Sequence, residues 1–181
     1  MATEVELADI DAGIVLVYTG QGKGKSTAAL GVALRAAGHG LNVVVIQFPK
    51  GDLDYGEYHF VDNYRPFEIV QLNRGETAGQ TEEELRSVFR QTFSYAEEVL
   101  FEGHHQVVIL DEIFDAIDIK MLTTQEVMAL IDIKPPRVNL ILTGRSAPTE
   151  IVKRADMVTE MIRVKHHFFE GIRKAIEGID Y

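Results

Sequence analysis

Tyr18-Thr19-Gly20-Gln21-Gly22-Lys23-Gly24-Lys25-Ser26-Thr27 follows directly on the apolar run Ile14 to Tyr18 and leads directly into the alanine-rich stretch Ala28 to Ala37. The order is strand, glycine loop, helix start. Spaced glycines ahead of Gly24-Lys25-Ser26 form the kind of loop in which backbone N–H groups and a lysine hold phosphates and a hydroxyl holds magnesium. Gly20, Gly22 and Gly24 let the backbone approach an anion closely, with Gln21 and Thr27 completing the stretch. Lys25 supplies charge to the phosphates, and Ser26 supplies the metal ligand. The glycine that opens the consensus falls on Thr19, so the loop is a variant. A chance glycine-lysine turn is the competing reading, and the strand before and helix after argue against it.

Outward from the loop, the chain reads as alternating strands and helices. Strand one spans about Gly13 to Tyr18, and a helix runs Lys25 to Ala37, stopped at Gly38-His39-Gly40; Gly31 inside it is read as a close-packing position. Leu41 to Phe48 is a near-continuous apolar run with three consecutive valines, as a parallel strand buried on both faces requires. Pro49 to Asp52 breaks it, and a functional loop with a short helix around Gly56 to Asn63 follows. Phe67 to Leu72 alternates as a short strand, and Asn73 to Gln80 is a second loop. Leu85, Val88, Phe89, Ala96, Val99 and Leu100 recur at helical spacing over Glu82 to Phe101, with Thr81 as cap and Gly103 as stop. Gln106 to Ile113 is a buried strand, Thr124 to Ile133 a helix ended before Pro135-Pro136, and Val138 to Thr143 another buried strand. A helix at about Thr149 to Ala155 and a strand at about Met157 to Val164 close the alternation. The fold class is therefore α/β: a phosphate-loop type of open, mainly parallel sheet with helices on both faces. The right-handed crossover rule puts the loops that follow the strands along one sheet edge, where ligands of such sheets bind. Thr19 to Ser26, Gln47 to Gly51, Asp111-Glu112 and Thr143-Gly144-Arg145 converge there.

Composition limits the function classes. At 181 residues, 46% apolar and 25% charged, the chain fits one domain over 13–181, preceded by an acidic, flexible arm at 1–12. A formal net charge of −10 argues against nucleic acid or an anionic membrane as the main partner. Without cysteine there is no disulfide, thiolate metal site or thiol nucleophile. The acidic start lacks a basic region before an apolar one, and no apolar run approaches about 20 residues, so a soluble cytoplasmic protein is expected.

At the convergent edge, Asp111 and Glu112 end an apolar strand and suit a magnesium-holding element; alone, such a pair would read as solvent-facing. Arg145 has two readings, a bidentate phosphate donor or a structural ion pair. Lys23 is either a second cation for the phosphates or a solvated side chain. His104-His105 and His166-His167 lack a second ligand set at metal spacing, so surface or packing roles are expected. Asp118 and the glutamates of the Glu82 helix read as a solvated face. The residues alone lead to a magnesium-dependent α/β domain that binds a nucleoside triphosphate.

Beyond that point the chain resembles the corrinoid adenosyltransferases of the CobA/CobO/BtuR class. The resemblance rests on Thr19-Gly-Gln-Gly-Lys-Gly-Lys-Ser-Thr27, Gly38-His-Gly40, Gln47-Phe-Pro-Lys-Gly51, Leu110-Asp-Glu112, Leu142-Thr-Gly-Arg145, Ala155-Asp156, Val164-Lys-His166 and the ending Gly178-Ile-Asp-Tyr181. It implies adenosyl transfer from ATP to a reduced corrinoid such as cob(I)alamin, with Lys25, Ser26 and Glu112 carrying the chemistry. It also implies Mg2+ held by Ser26, Asp111 and Glu112, a flavoprotein reductant and a homodimer. Two features depart from the family pattern. The loop that would carry a Phe-x-Trp segment reads Leu72-Asn73-Arg74-Gly75-Glu76-Thr77 in a chain without tryptophan, and the N-terminal arm is acidic and short. A phosphate-loop ATPase or phosphotransferase, and a non-catalytic nucleotide- or corrinoid-binding regulator, are the alternatives.

Overall fold

A computed structural model describes residues 12–49, 54–72, 79–171 and 174–181. Among these residues six strands form one sheet: β1 (Val15–Thr19), β2 (Val43–Gln47), β3 (Glu68–Val70), β4 (Val107–Asp111), β5 (Asn139–Thr143) and β6 (Met157–Glu160). Their order is β3-β2-β4-β5-β1-β6, and every pairing is parallel. The helices are α1 (Lys25–Gly38), α2 (Gly56–Tyr64), α3 (Glu82–Glu102), α4 (Ile113–Asp118), α5 (Thr124–Ile133) and α6 (Thr149–Arg154), followed by a 3₁₀ turn at His167–Phe169.

The apolar runs are buried on both sides because successive strand residues face opposite ways. Val44, Ile46, Val108, Leu110, Leu140 and Leu142 pack with Phe89, Phe93 and Leu100 of α3, Leu130 of α5 and Ile151 of α6. Val43, Val45, Val107, Ile109 and Ile141 pack on Ala29, Ala33 and Ala36 of α1 and on Tyr58 and Val61 of α2. Ala29, Ala33 and Ala36 form the buried face by which α1 packs on the sheet. Gly31 has no part in that close packing: a Cβ built there meets nothing within 4 Å.

Helix ends agree with the sequence chemistry. Thr81 and Thr123 each form a reciprocal capping box, with Glu84 and Glu126 respectively, and Gly103 closes α3 in the left-handed region. Two expectations are corrected. The strand read as Gln106 to Ile113 stops at Asp111, because Glu112 takes φ 63 and turns the chain into α4, an element the apolar pattern did not indicate. Ile113, Phe114 and Ala116 of that helix join the core on the α3 side. The strand read as Met157 to Val164 stops at Glu160, one residue past which the chain bonds to the glycine loop instead. The expected arm falls, apart from Ala12, outside the described residues, as do positions 50–53 and 73–78 of the two expected loops. No helix among the described residues is long and apolar enough to cross a membrane.

Candidate functional site

The glycine loop is pinned between the ends of β5 and β6. Gly20 N–H donates to the Arg145 carbonyl at 3.1 Å, and Gly22 N–H donates to the Met161 carbonyl at 2.7 Å. A Cβ on Gly20 would lie 2.4 Å from that Met161 oxygen, and Gly20 sits at φ +103, so only glycine fits. Thr19, the departure from the consensus, has a structural use: its Oγ1 accepts from Ala147 N–H at 3.0 Å and donates to the Arg145 carbonyl at 3.3 Å. The hydroxyl ties the start of the loop to the end of β5.

Lys25 Nζ donates to the carbonyls of Gly20 and Gly22, at 2.9 and 2.8 Å. Burial pulls its ammonium below the ordinary lysine range; Asp115 pushes back, Arg145 adds to the fall, and Glu112 and Asp111 oppose it. The lysine is thus held over the loop by weak neutral acceptors, which phosphate oxygens would replace with stronger charge-assisted bonds.

The acidic pair is divided by the turn between them. Asp111 is 2% exposed and accepts from Thr143 Oγ1 at 2.7 Å and Gln47 Nε2 at 3.1 Å, with Gln47 in turn accepting from Tyr58. It ties β2, β4 and β5 together behind the cleft. Glu112 lies in front, where it lines the cleft with Ser26 and Lys25. Thr143 links the two: its hydroxyl hydrogen goes to Asp111 and its lone pair receives Glu112 N–H at 2.9 Å. Asp111 therefore sets the direction of the hydroxyl that holds the Glu112 turn, a left-handed conformation uncommon outside glycine.

Arg145 makes the structural ion pair. Its backbone N–H donates to Asp115 Oδ2 at 3.1 Å, and its Nε lies 3.4 Å from Oδ1 of the same carboxylate, while its side chain is 68% exposed at the cleft. Asp115 is a site residue that the sequence reading did not single out. Its burial raises its carboxyl above the usual range, against hydrogen bonding and charge from Arg145 and Lys25. The signal for it was spacing: three residues past Glu112, it shares a face with Glu112 once α4 is recognised.

The cleft, about 520 Å³, is closed on another side by the end of the chain. Gly178, Ile179, Asp180, Tyr181 and His166 line it together with Glu112 and Asp115. Lys23 is exposed, as one of its two readings had it, and it is also paired: its Nζ lies 2.9 Å from Asp180 Oδ1. Tyr55 and Glu57 at the start of α2 add a further edge, in the segment after β2 where sequence reading placed function. His104 is exposed and His105 faces Glu68 at 3.4 Å, away from the cleft. Asp118 and the α3 glutamates are exposed, as expected.

Fold and cleft together define the class: an α/β protein with an open parallel sheet, whose glycine-rich loop links the first strand to the first helix at the strands' C-terminal edge. A family model for ATP:corrinoid adenosyltransferases (BtuR/CobO/CobP) matches residues 11–181. The corrinoid adenosyltransferases of Escherichia coli K12 and of Salmonella typhimurium LT2 are each 35% identical over 98% of this chain and 90% of their own length. That of Pseudomonas aeruginosa is 36% identical over 93% of this chain and 84% of its own. The chain belongs to this family of transferases.

Proposed function

We propose that this protein transfers the 5′-deoxyadenosyl group of ATP to the cobalt of a reduced corrinoid, of the cob(I)alamin type, with tripolyphosphate as the leaving group. The observation that carries the reading is the convergence of Lys25, Ser26, Glu112 and Arg145 on one cleft in a chain of this family. The cobalt of the substrate donates its electron pair to C5′ of the ribose, the bond from C5′ to the triphosphate oxygen breaks, and that oxygen leaves with the pair. No proton changes hands, so the chain needs no acid–base pair at the reacting carbon.

What the chain must supply is position and charge. The loop amides other than those of Gly20 and Gly22, which are bonded to the Arg145 and Met161 carbonyls, hold the triphosphate together with the Lys25 ammonium, so charge accumulating on the leaving group meets donors already in place. Arg145, oriented by Asp115, offers a further cation at the mouth of the cleft. Magnesium fits the donors present: Ser26 and Glu112 offer hard oxygen ligands to the same cleft, and a magnesium ion that takes substrate phosphates needs only one or two carboxylates from the protein. Asp111 would act from behind, by fixing Thr143 and through it the Glu112 turn. When bound, the ion neutralises charge on the departing triphosphate.

A homodimer and a flavoprotein reductant go with this reading on the strength of the resemblance, and a cytoplasmic location and a single domain over 13–181 on the strength of length and composition. Anaerobic incubation with magnesium, ATP and chemically reduced cobalamin tests it. Tripolyphosphate and a light-sensitive adenosylated corrinoid, formed together, support it. Release of ADP instead identifies a phosphoryl-transfer enzyme, and binding of both substrates without turnover identifies a regulator.

A further inference from the structure

The loop's two lysines have different partners. Lys25 rests on loop carbonyls, whereas Lys23 reaches across to a carboxylate near the far end of the chain. Asp180 is itself well fixed. Its Oδ2 accepts from Ile176 N–H at 2.9 Å and lies 3.3 Å from His167 Nε2, while its own N–H donates to the Ile176 carbonyl at 2.7 Å and Gly178 N–H closes on the Tyr181 carbonyl at 2.8 Å. One carboxylate, 15% exposed, therefore joins the glycine loop, the 3₁₀ turn and the last turn of the chain. That last turn presents Ile179, Asp180 and Tyr181 to the cleft.

We propose that Lys23 and Asp180 form a clasp that holds the turn from Ile176 to Tyr181 in place as a wall of the nucleotide cleft, making both of them positioning residues for ATP. The proposal rests on reading the cleft as a triphosphate site. Charge decides the role of each member. A bare carboxylate at 180 would repel an arriving triphosphate; paired with Lys23 it presents no net charge, and the pair brings the turn against the loop. Lys23 is then committed to Asp180 rather than to the phosphates, and the Lys25 ammonium is the loop cation that grips them. The Lys23 hydrogen bond is the first cause that holds the Asp180 carboxyl below its ordinary range.

The test is a double-mutant cycle on ATP binding by calorimetry, without corrinoid, using Lys23→Ala, Asp180→Asn and the combination. Lys23→Ala is expected to weaken ATP binding about tenfold and Asp180→Asn about fivefold, with the combined variant no worse than about tenfold, since residues of one interaction are not additive. Lys23→Arg, which keeps the ion pair, should restore most of the affinity. Amide exchange at Ile176 and Gly178 should accelerate in both single variants, a readout that loss of a phosphate contact alone would not move. In steady state the loss should fall more on KM for ATP than on kcat. Tighter ATP binding by Asp180→Asn, or additive losses in the combination, would overturn the clasp and make Lys23 a direct phosphate ligand. A wild type that binds ATP but adenosylates no corrinoid would overturn the functional reading instead, and the binding cycle would still decide the clasp.

Discussion

Lys25 carries the sharpest residue-level expectation, because its ammonium is the loop cation turned onto the loop itself rather than into an ion pair. Lys25→Ala should lower kcat/KM for ATP by roughly 10²–10³, the cost of deleting one preorganised charge donor, with the melting temperature little changed. Tripolyphosphate release measures it, and near-normal turnover would remove the loop from the mechanism. Thr143 tests the link behind the cleft. Thr143→Val is nearly isosteric but deprives both Asp111 and the Glu112 N–H of a partner, at a residue that is fully buried. A loss of about 1–3 kcal/mol in unfolding free energy is expected, together with weaker magnesium dependence of turnover; an unchanged denaturation midpoint would show the link to be idle. At this scale the meeting of Lys25, Ser26 and Glu112 on one cleft was legible, because the loop motif and the strand-end carboxylate both fall at the C-terminal edge of the sheet. Asp111 was legible as acidic but not as buried, since an acidic pair at a strand end does not say which member the next turn swings outward. Asp115 and the partner of Lys23 were illegible: one depends on an unrecognised helix, the other on a contact between the two ends of the chain.

Elements whose signals are local matched their sequence readings within a residue or two. Thr81 with Glu84 and Thr123 with Glu126 spell capping boxes, and α3 and α5 begin there. Thr81→Ala and Thr123→Ala should each cost about 1 kcal/mol, and the combination about the sum, because the two caps share no partner. Urea denaturation of the three variants checks this, and marked non-additivity would mean the helix starts are coupled through α3–α5 packing. α4 escaped notice for a physical reason. Ile113-Phe114 prolongs the apolar run of β4, and nothing in a glutamate announces the left-handed turn at Glu112 that separates strand from helix. Gly144 shows how tightly that helix is seated: a Cβ there would approach Phe114 Cβ to 2.5 Å. β6 ended early because the backbone of Met161 turns to the glycine loop, accepting from Gly22 and donating to Thr19.

For the whole molecule, parallel strands buried on both faces were readable from uninterrupted runs such as Val43 to Ile46 and Val107 to Leu110, but their spatial order was not, since each run offers its neighbours the same surface. Charge adds a property that belongs to the whole molecule: the dependence of stability on pH. Asp115 has its carboxyl raised by burial, so as pH falls from neutrality the folded chain takes up that proton before the unfolded chain does, whose aspartates titrate near about 4. Stability therefore rises as pH falls through the folded value of Asp115, and partial discharge of the net −10 acts in the same direction. Glu84, Glu126 and Asp180 act with the opposite sign. Backbone and side-chain bonds at Thr81 lower Glu84; for Glu126 burial is outweighed by Arg90 and Thr123; Lys23 lowers Asp180. These three stay charged in the fold after the unfolded chain has begun to protonate, so their contribution is present above about pH 4 and is lost as pH falls through their folded values. The melting temperature of the protein without nucleotide or magnesium should accordingly pass through a maximum between about pH 4 and neutrality. Asp115→Asn separates the two causes of the upper limb: it should flatten the rise on the neutral side and leave the acid collapse in place, whereas an unaltered rise would assign that limb to net charge and remove Asp115 from the argument.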